Sequence, residues 1–249
     1  MRAMILAAGL GTRLRPLTDD RPKALVEINR RTLLEIALLR LHSVGVNDVI
    51  INVHHHADMV VDFLKKNDDF GMRIEISRED VLLDTGGGIK KAGHFFLADS
   101  RPDEPFIVHN VDVLSTIDLR RMVKFHIENQ PLATLAVQDR KTSRYLLFDE
   151  QLRLCGRQAG DERPELVRNC PQVLPLAFAG IHVISPRLLT MMIEDGAFSV
   201  VTTYLRLAAQ EQKILAFRAD EYYWRDLGKP ENLAQAAEDI KKNVIALGI

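Results

Sequence analysis

Short apolar runs alternate with stretches of helical apolar spacing over the first 138 residues, and that rhythm admits few folds. Residues 3–8, 48–53, 72–76, 105–108 and 132–137 read as strands, 3–8 and 48–53 buried and 72–76 alternating. Residues 33–44, 57–66, 89–97 and 118–128 read as helices; Gly45 closes the first and Asp118 caps the last. Strands separated by helices return to a sheet through crossovers. The expectation is an α/β fold: a three-layer α/β/α, Rossmann-like arrangement on a mixed, mostly parallel sheet covered on both faces.

The rhythm changes beyond residue 138. Residues 145–148, 152–155 and 176–184 read as strands without long helices between them. The polar stretch 158–172, with Pro164 and Pro171, reads as a mobile surface loop. Helices are expected over 186–193 and 200–210, a strand over 213–219, and a final helix from Pro230 to about Leu247. No linker and no internal repeat interrupts the chain, so residues 1–249 read as one domain.

The first strand breaks into Gly9-Leu10-Gly11-Thr12-Arg13-Leu14-Arg15-Pro16, and Pro22-Lys23 follows. Glycines let backbone N–H groups turn toward an anion, and the nearby cations add fixed positive charge. The spacing G-x-x-x-x-G-K of a P-loop is absent, and Leu14 stands where a dinucleotide fingerprint needs its third glycine. A polyphosphate at the carboxyl end of the first strand remains the natural ligand.

The string Leu6-Ala7-Ala8-Gly9-Leu10-Gly11-Thr12-Arg13-Leu14, with Pro16-Leu17-Thr18 and Pro22-Lys23, resembles the signature of the sugar-1-phosphate nucleotidyltransferases. The likeness continues through Asp84-Thr85-Gly86-Gly87-Gly88, Asn110-Val111-Asp112, Phe178-Ala179-Gly180-Ile181 and Trp224-Arg225-Asp226-Leu227-Gly228. It implies a nucleotide-binding half over 1–138 and a sugar-phosphate half over 139–249. In it Leu6, Ala7, Ala8, Gly9, Gly11, Thr12 and Arg13 hold base and phosphates, with Thr85, Gly86 and Gly87 reading base and ribose. Arg13 and Lys23 serve the reacting phosphates, Asn110 and Gly180 the sugar phosphate, and Asp112 and Asp226 bind Mg²⁺. NTP and a sugar-1-phosphate would yield an NDP-sugar and pyrophosphate, with uridylyl or guanylyl transfer favoured.

The chemistry of the residues agrees. Nucleotidyl transfer concentrates negative charge that cations must offset, and Mg²⁺ takes carboxylates plus substrate phosphates. The acceptor phosphate is already a dianion near neutral pH, so no histidine is required as a base. Two departures from the pattern stand out. Val111 replaces a usual glycine and would be strained if that position needs φ > 0. A Glu-Lys-Pro that grips the sugar phosphate in many relatives is absent; Asp161-Glu162-Arg163-Pro164 is the nearest stretch. These departures keep two alternatives open: a phosphocholine cytidylyltransferase and a catalytically inactive NDP-sugar-binding regulator.

Net charge is −1, so there is no global basic field for nucleic acid. No apolar run reaches membrane-span length, and a secretory leader is not expected. Cys155 and Cys170 match neither a metal spacing nor a disulfide framework, so a reduced, cytoplasmic protein is expected. His54-His55-His56 is not expected to hold a metal, because neighbouring side chains point apart. No hexapeptide repeats are present, so an appended acyltransferase domain is not expected.

Overall fold

The computed structural model describes residues 1–98 and 104–245. The chain begins β1 (Arg2–Leu6), β2 (Glu27–Ile28), β3 (Arg31–Thr32), α1 (Leu33–Ser43), β4 (Asp48–Val53), α2 (Ala57–Lys66) and β5 (Arg73–Arg78). It continues through α3 (Asp84–Lys91), α4 (Gly93–Leu97), β6 (Phe106–Asn110), β7 (Val113–Ser115), α5 (Leu119–Asn129), β8 (Ala133–Gln138) and β9 (Arg144–Phe148). The remainder is β10 (Leu154–Ala159), β11 (Glu165–Leu166), β12 (Leu174–Ile184), α6 (Arg187–Thr190), α7 (Val200–Ala209), β13 (Ile214–Arg218), β14 (Trp224–Asp226) and α8 (Pro230–Lys241). Two compact units result. One comprises Met1–Asp84, Val108–Ile117 and Tyr222–Ile249, the other Thr85–Ile107 and Asp118–Glu221.

In the first unit β1, β4 and β5 are parallel, with Leu6 opposite Asn52 and Asn52 opposite Ser77. Ala3, Met4, Ile5, Val49, Ile50 and Ile51 are fully buried, as expected of strands covered on both faces. Thr32 caps α1 by accepting from the Glu35 amide at 3.0 Å, and Leu34, Leu38 and Leu41 carry its buried face. Gly45, at φ 88°, ends that helix. A short antiparallel ribbon pairs β7 with β14, placing Asp226 opposite Val113. Helix α8 is tied to this ribbon through Asp239. That carboxylate accepts from the Tyr223 hydroxyl at 2.7 Å, Gln235 at 2.8 Å and Arg225 at 3.1 Å.

In the second unit β8 lies between antiparallel β12 and parallel β13, and β12 continues through β9 and β10 to β11. Asp118 caps α5 as expected, accepting from the Arg121 amide at 2.9 Å. The stretch 89–97 is two helices rather than one, α3 opening at Asp84 and α4 at Gly93. The helix expected over 186–193 shrinks to Arg187–Thr190. Helix α8 stops at Lys241; the last residues of the helix expected to about Leu247 lie outside the described residues.

One expectation is overturned. Cys155 and Cys170 form a disulfide, so the reading of both as reduced thiols fails. The stretch 158–172 also differs from a mobile loop. Gly156 pairs with Leu166 and Arg157 with Glu165, and the Val167 amide donates to the Cys155 carbonyl at 2.8 Å. Arg168 reaches Glu211 at 3.1 Å and Asp149 at 3.6 Å. Proline count and polarity signalled a loop, but the cross-link and ladder are long-range contacts that composition does not reveal.

Two outcomes follow for stability. Reduction of Cys155–Cys170, which closes a separation of 15 residues, should lower unfolding free energy by about 3 kcal/mol in urea titrations. Equal stability with and without reductant would refute this. His126 is buried, with its Nδ1 2.9 Å from the Thr134 hydroxyl, and burial together with nearby Arg187 lowers its pKa to about 4. The unfolded chain therefore binds a proton that the folded chain refuses. Stability should fall as pH drops from about 6.5 to 4, by about 3 kcal/mol from this group. His126→Gln should remove this group's share of the slope, leaving that of buried His109; an unchanged slope would show that His126 contributes none.

Candidate active site

The site in the first unit begins where β1 ends. Residues Gly9 to Arg13 leave the buried strand for solvent. Gly11 adopts φ 66° just before a 3-10 turn at Thr12–Leu14. A Cβ there would lie 2.9 Å from Thr18 Cγ2 and 3.1 Å from Lys23 Cβ, so a larger residue fails on both backbone and space. Thr18 closes the loop with a 2.9 Å hydrogen bond to the Gly11 carbonyl. The motif thus packs its own lysine against its own glycine.

The ribbon brings the second half of the site to the first. Leu227 donates its amide to the Asp112 carbonyl at 2.8 Å, extending the pairing that sets Asp226 opposite Val113. The two expected metal ligands therefore sit on neighbouring rungs of one ribbon. Val111 avoids the left-handed region, and its amide bonds the Leu6 carbonyl at 3.1 Å, so valine is unstrained where glycine is usual.

Charge is concentrated around Gly228. Lys23 Nζ rests on Asp112 Oδ2 as a largely buried ion pair, the side chains 12% and 17% exposed. Asp226 Oδ1 accepts from the Gly228 amide at 2.6 Å. A Cβ on Gly228 would sit 2.7 Å from Asp226 Oδ1, 2.8 Å from Arg13 Nη2 and 3.2 Å from Lys23 Nζ. Charged groups from distant chain segments thus gather where one residue has no side chain. Arg13 stands 4.0 Å from Asp226 Oδ2 with its side chain 58% exposed. An exposed pair at that distance contributes almost nothing, leaving the guanidinium charge available to an anion.

The donor set suits a hard divalent cation. Asp112 and Asp226 offer carboxylate oxygens, and Asp112 already faces a cation in Lys23. Asn110 Oδ1, one residue past Val108-His109, is buried without a hydrogen-bond partner. His109 itself is enclosed; burial and the Arg40 charge lower its pKa to about 4, so it is neutral.

The other expected residues fall in the second unit. Thr85 Oγ1 accepts from the Val200 amide at 3.0 Å, and the Gly86 and Gly87 amides donate to the Phe198 carbonyl at 2.8 and 3.4 Å. A Cβ on Gly86 would collide with the Phe198 ring. The close approach that Gly86 permits is to the chain's own 198–200 segment. Gly180, at φ 72°, sits where the β12–β8 register shifts between Phe178 and His182, the mark of a bulge. In the first unit, His54 Nδ1 lies 2.7 Å from the Glu79 carbonyl, while the His55 and His56 rings stack 3.8 Å apart at a tilt. The weight of Gly228 escaped the sequence reading, although its motif was visible. A glycine two residues after an acid is common, and only the fold shows what crowds it.

Comparison with known proteins identifies the family. Residues 2–153 match the nucleotidyl transferase family. The chain is 35% identical over 242 residues to the N-acetylmuramate alpha-1-phosphate uridylyltransferase of Caulobacter vibrioides, covering 92% of each. It is 30% identical over 235 residues to the mannose-1-phosphate guanyltransferase of Yarrowia lipolytica; 93% of this chain matches 62% of that enzyme's length. Among solved structures, HddC from Yersinia pseudotuberculosis complexed with GMP-PN has a TM-score of 0.75 at 23% identity, covering 96% of this chain and 99% of that one. That likeness carries the fold, and the α/β expectation stands. No described helix is long and apolar enough to cross a membrane. The chain belongs to the nucleotidyl transferase family.

Proposed function

We propose that this protein transfers a nucleotidyl group from an NTP to a sugar-1-phosphate, giving an NDP-sugar and pyrophosphate. The observation that carries the reading is the gathering of Arg13, Lys23 and Asp226 around Gly228, one ribbon rung from Asp112. Uridylyl or guanylyl transfer is favoured by the relatives, whose names specify those two groups.

In this reading the backbone from Leu6 to Thr12 lines the nucleotide, and Arg13 meets the departing pyrophosphate. Lys23 lies beside the reacting phosphorus and offsets charge as it develops. Asp112 and Asp226 would hold Mg²⁺, which would supply charge neutralisation to the phosphates. The acceptor phosphate attacks as a dianion, so no side chain has to remove a proton. Binding both substrates in line supplies much of the acceleration. Thr85, Gly86 and Gly87 are assigned to base and ribose, and Asn110 and Gly180 to the sugar phosphate. Residues 1–138 are assigned to the nucleotide and 139–249 to the sugar phosphate, Asp226 excepted, which lies with Arg13 and Lys23 in the first unit.

The direct test is pyrophosphate release from each of four NTPs against a panel of sugar-1-phosphates with Mg²⁺. Activity with UTP or GTP is expected, and none with any pair would sink the reading. Lys23→Ala removes both the charge and the packing of a largely buried pair, whereas Asp112→Asn keeps the shape and an oxygen that can still accept from Lys23, so it is the milder probe. It should lower kcat by about 100-fold or more while the protein still melts cooperatively. Gly228→Ala should lower kcat by at least about tenfold, because its methyl group forces apart charges that must act together. Wild-type turnover in Gly228→Ala would remove the cluster from the mechanism.

A further inference from the structure

One carboxylate of the first unit is enclosed, with both oxygens engaged. Glu79 is 4% exposed. Its Oε1 accepts from Asn52 Nδ2 at 2.7 Å and its Oε2 from the Leu83 amide at 3.0 Å. Asn52, 2% exposed, lies in β4 opposite Leu6 of β1, and its Oδ1 accepts from the Ala7 amide at 2.8 Å. The Glu79 backbone is held as well, its amide donating to the Val53 carbonyl at 2.8 Å and its carbonyl meeting His54 Nδ1. A continuous relay therefore runs from the backbone of residue 7 to that of residue 83.

The ends of the relay matter more than its middle. Ala7 is the first residue beyond β1, where the glycine loop starts. Leu83 precedes Asp84, whose φ of 56° turns the chain into α3. Between Glu79 and Leu83 the chain exposes Val81 and Leu82, so apolar packing does not fix that turn. An apolar pair could have filled this space at lower desolvation cost. A satisfied buried polar network instead fixes one geometry, because each donor has one acceptor.

We propose that Asn52 and Glu79 are positioning residues that set the separation of the 6–11 and 80–84 loops and thereby the affinity for NTP. This rests on the function proposed above, in which those loops border the nucleotide. Neither side chain touches the reacting phosphates. Both act through the backbone they hold.

The polarity of the relay supplies the test. The Ala7 N–H must find an acceptor, so the Asn52 amide nitrogen faces Glu79. In Asn52→Asp two carboxylates oppose each other. In Glu79→Gln one amide nitrogen must face another donor. The double variant, N52D with E79Q, reverses the relay. The new carboxylate at position 52 accepts both from the Ala7 amide and from the new side-chain amide at position 79. The carbonyl oxygen of that amide accepts from Leu83, so every bond is remade with the same charge. Equilibrium binding of ATP, CTP, GTP and UTP with Mg²⁺ should show each single variant weakening the best ligand at least about tenfold. The double variant should bind within about threefold of wild type, and KM for the sugar phosphate should stay unchanged. Folded single variants with wild-type NTP affinity overturn the proposal. So does a double variant no better than the singles, and if the singles fail to fold, the double variant decides alone. Arg13→Ala separates the two layers. If it leaves nucleotide binding intact, the site reading falls and this inference with it. If it weakens binding while Asn52→Asp and Glu79→Gln bind normally, only the relay falls.

Discussion

The charged cluster of the first unit is governed by one constraint, that two cations, Arg13 and Lys23, come together beside Gly228. Two cations brought to one point repel each other, and an unpaired buried ammonium is costly. The chain answers by setting a carboxylate beside each. Lys23, mostly enclosed, rests on Asp112, while exposed Arg13 stands at the margin of contact with Asp226. The enclosed pair is the firm one and the exposed pair the loose one. One cation is thereby fixed in place and the other keeps its reach toward solvent.

The geometry of that arrangement comes from backbone. Gly11 allows the loop to fold over Lys23, and Gly228 leaves the space in which Arg13, Lys23 and Asp226 meet. The ribbon of β7 and β14 fastens a C-terminal segment to the end of a strand more than a hundred residues earlier. Asp239 holds the ribbon to α8 by accepting from Arg225 of β14 and from Tyr223 beside it. Hydrogen bonds from Tyr223 and Gln235 keep its carboxyl below the usual carboxylate range, so it stays charged near neutrality. A residue remote from the motif thus maintains the platform on which Asp226 sits.

Much of this was readable before any coordinates. Asp48–Val53 and Ala57–Lys66 lie where their periodicity puts them, because an uninterrupted apolar run and a one-sided amphipathic stretch each have one comfortable conformation. Asp118 announces its helix through capping chemistry. Three-residue strands such as Val113–Ser115 and Trp224–Asp226 carry no period to read. Nor could Gln158 to Gln172 declare its anchoring, since a disulfide partner is a matter of distance in space. Asn52 and Glu79 looked like ordinary polar residues in or beside strands; burial alone marks them out.

By itself the sequence determined the local conformations, the glycine loop with its cations, and the family to which they belong, because these depend on neighbours within a few residues. Tertiary structure decided which charges meet. It put Asp112 and Asp226 on neighbouring rungs, crowded three charged groups around Gly228, and closed the relay from Ala7 to Leu83. Such pairings depend on strand register and on chain segments far apart in sequence. Periodicity constrains register only to within a face, and the ladder itself selects the partner.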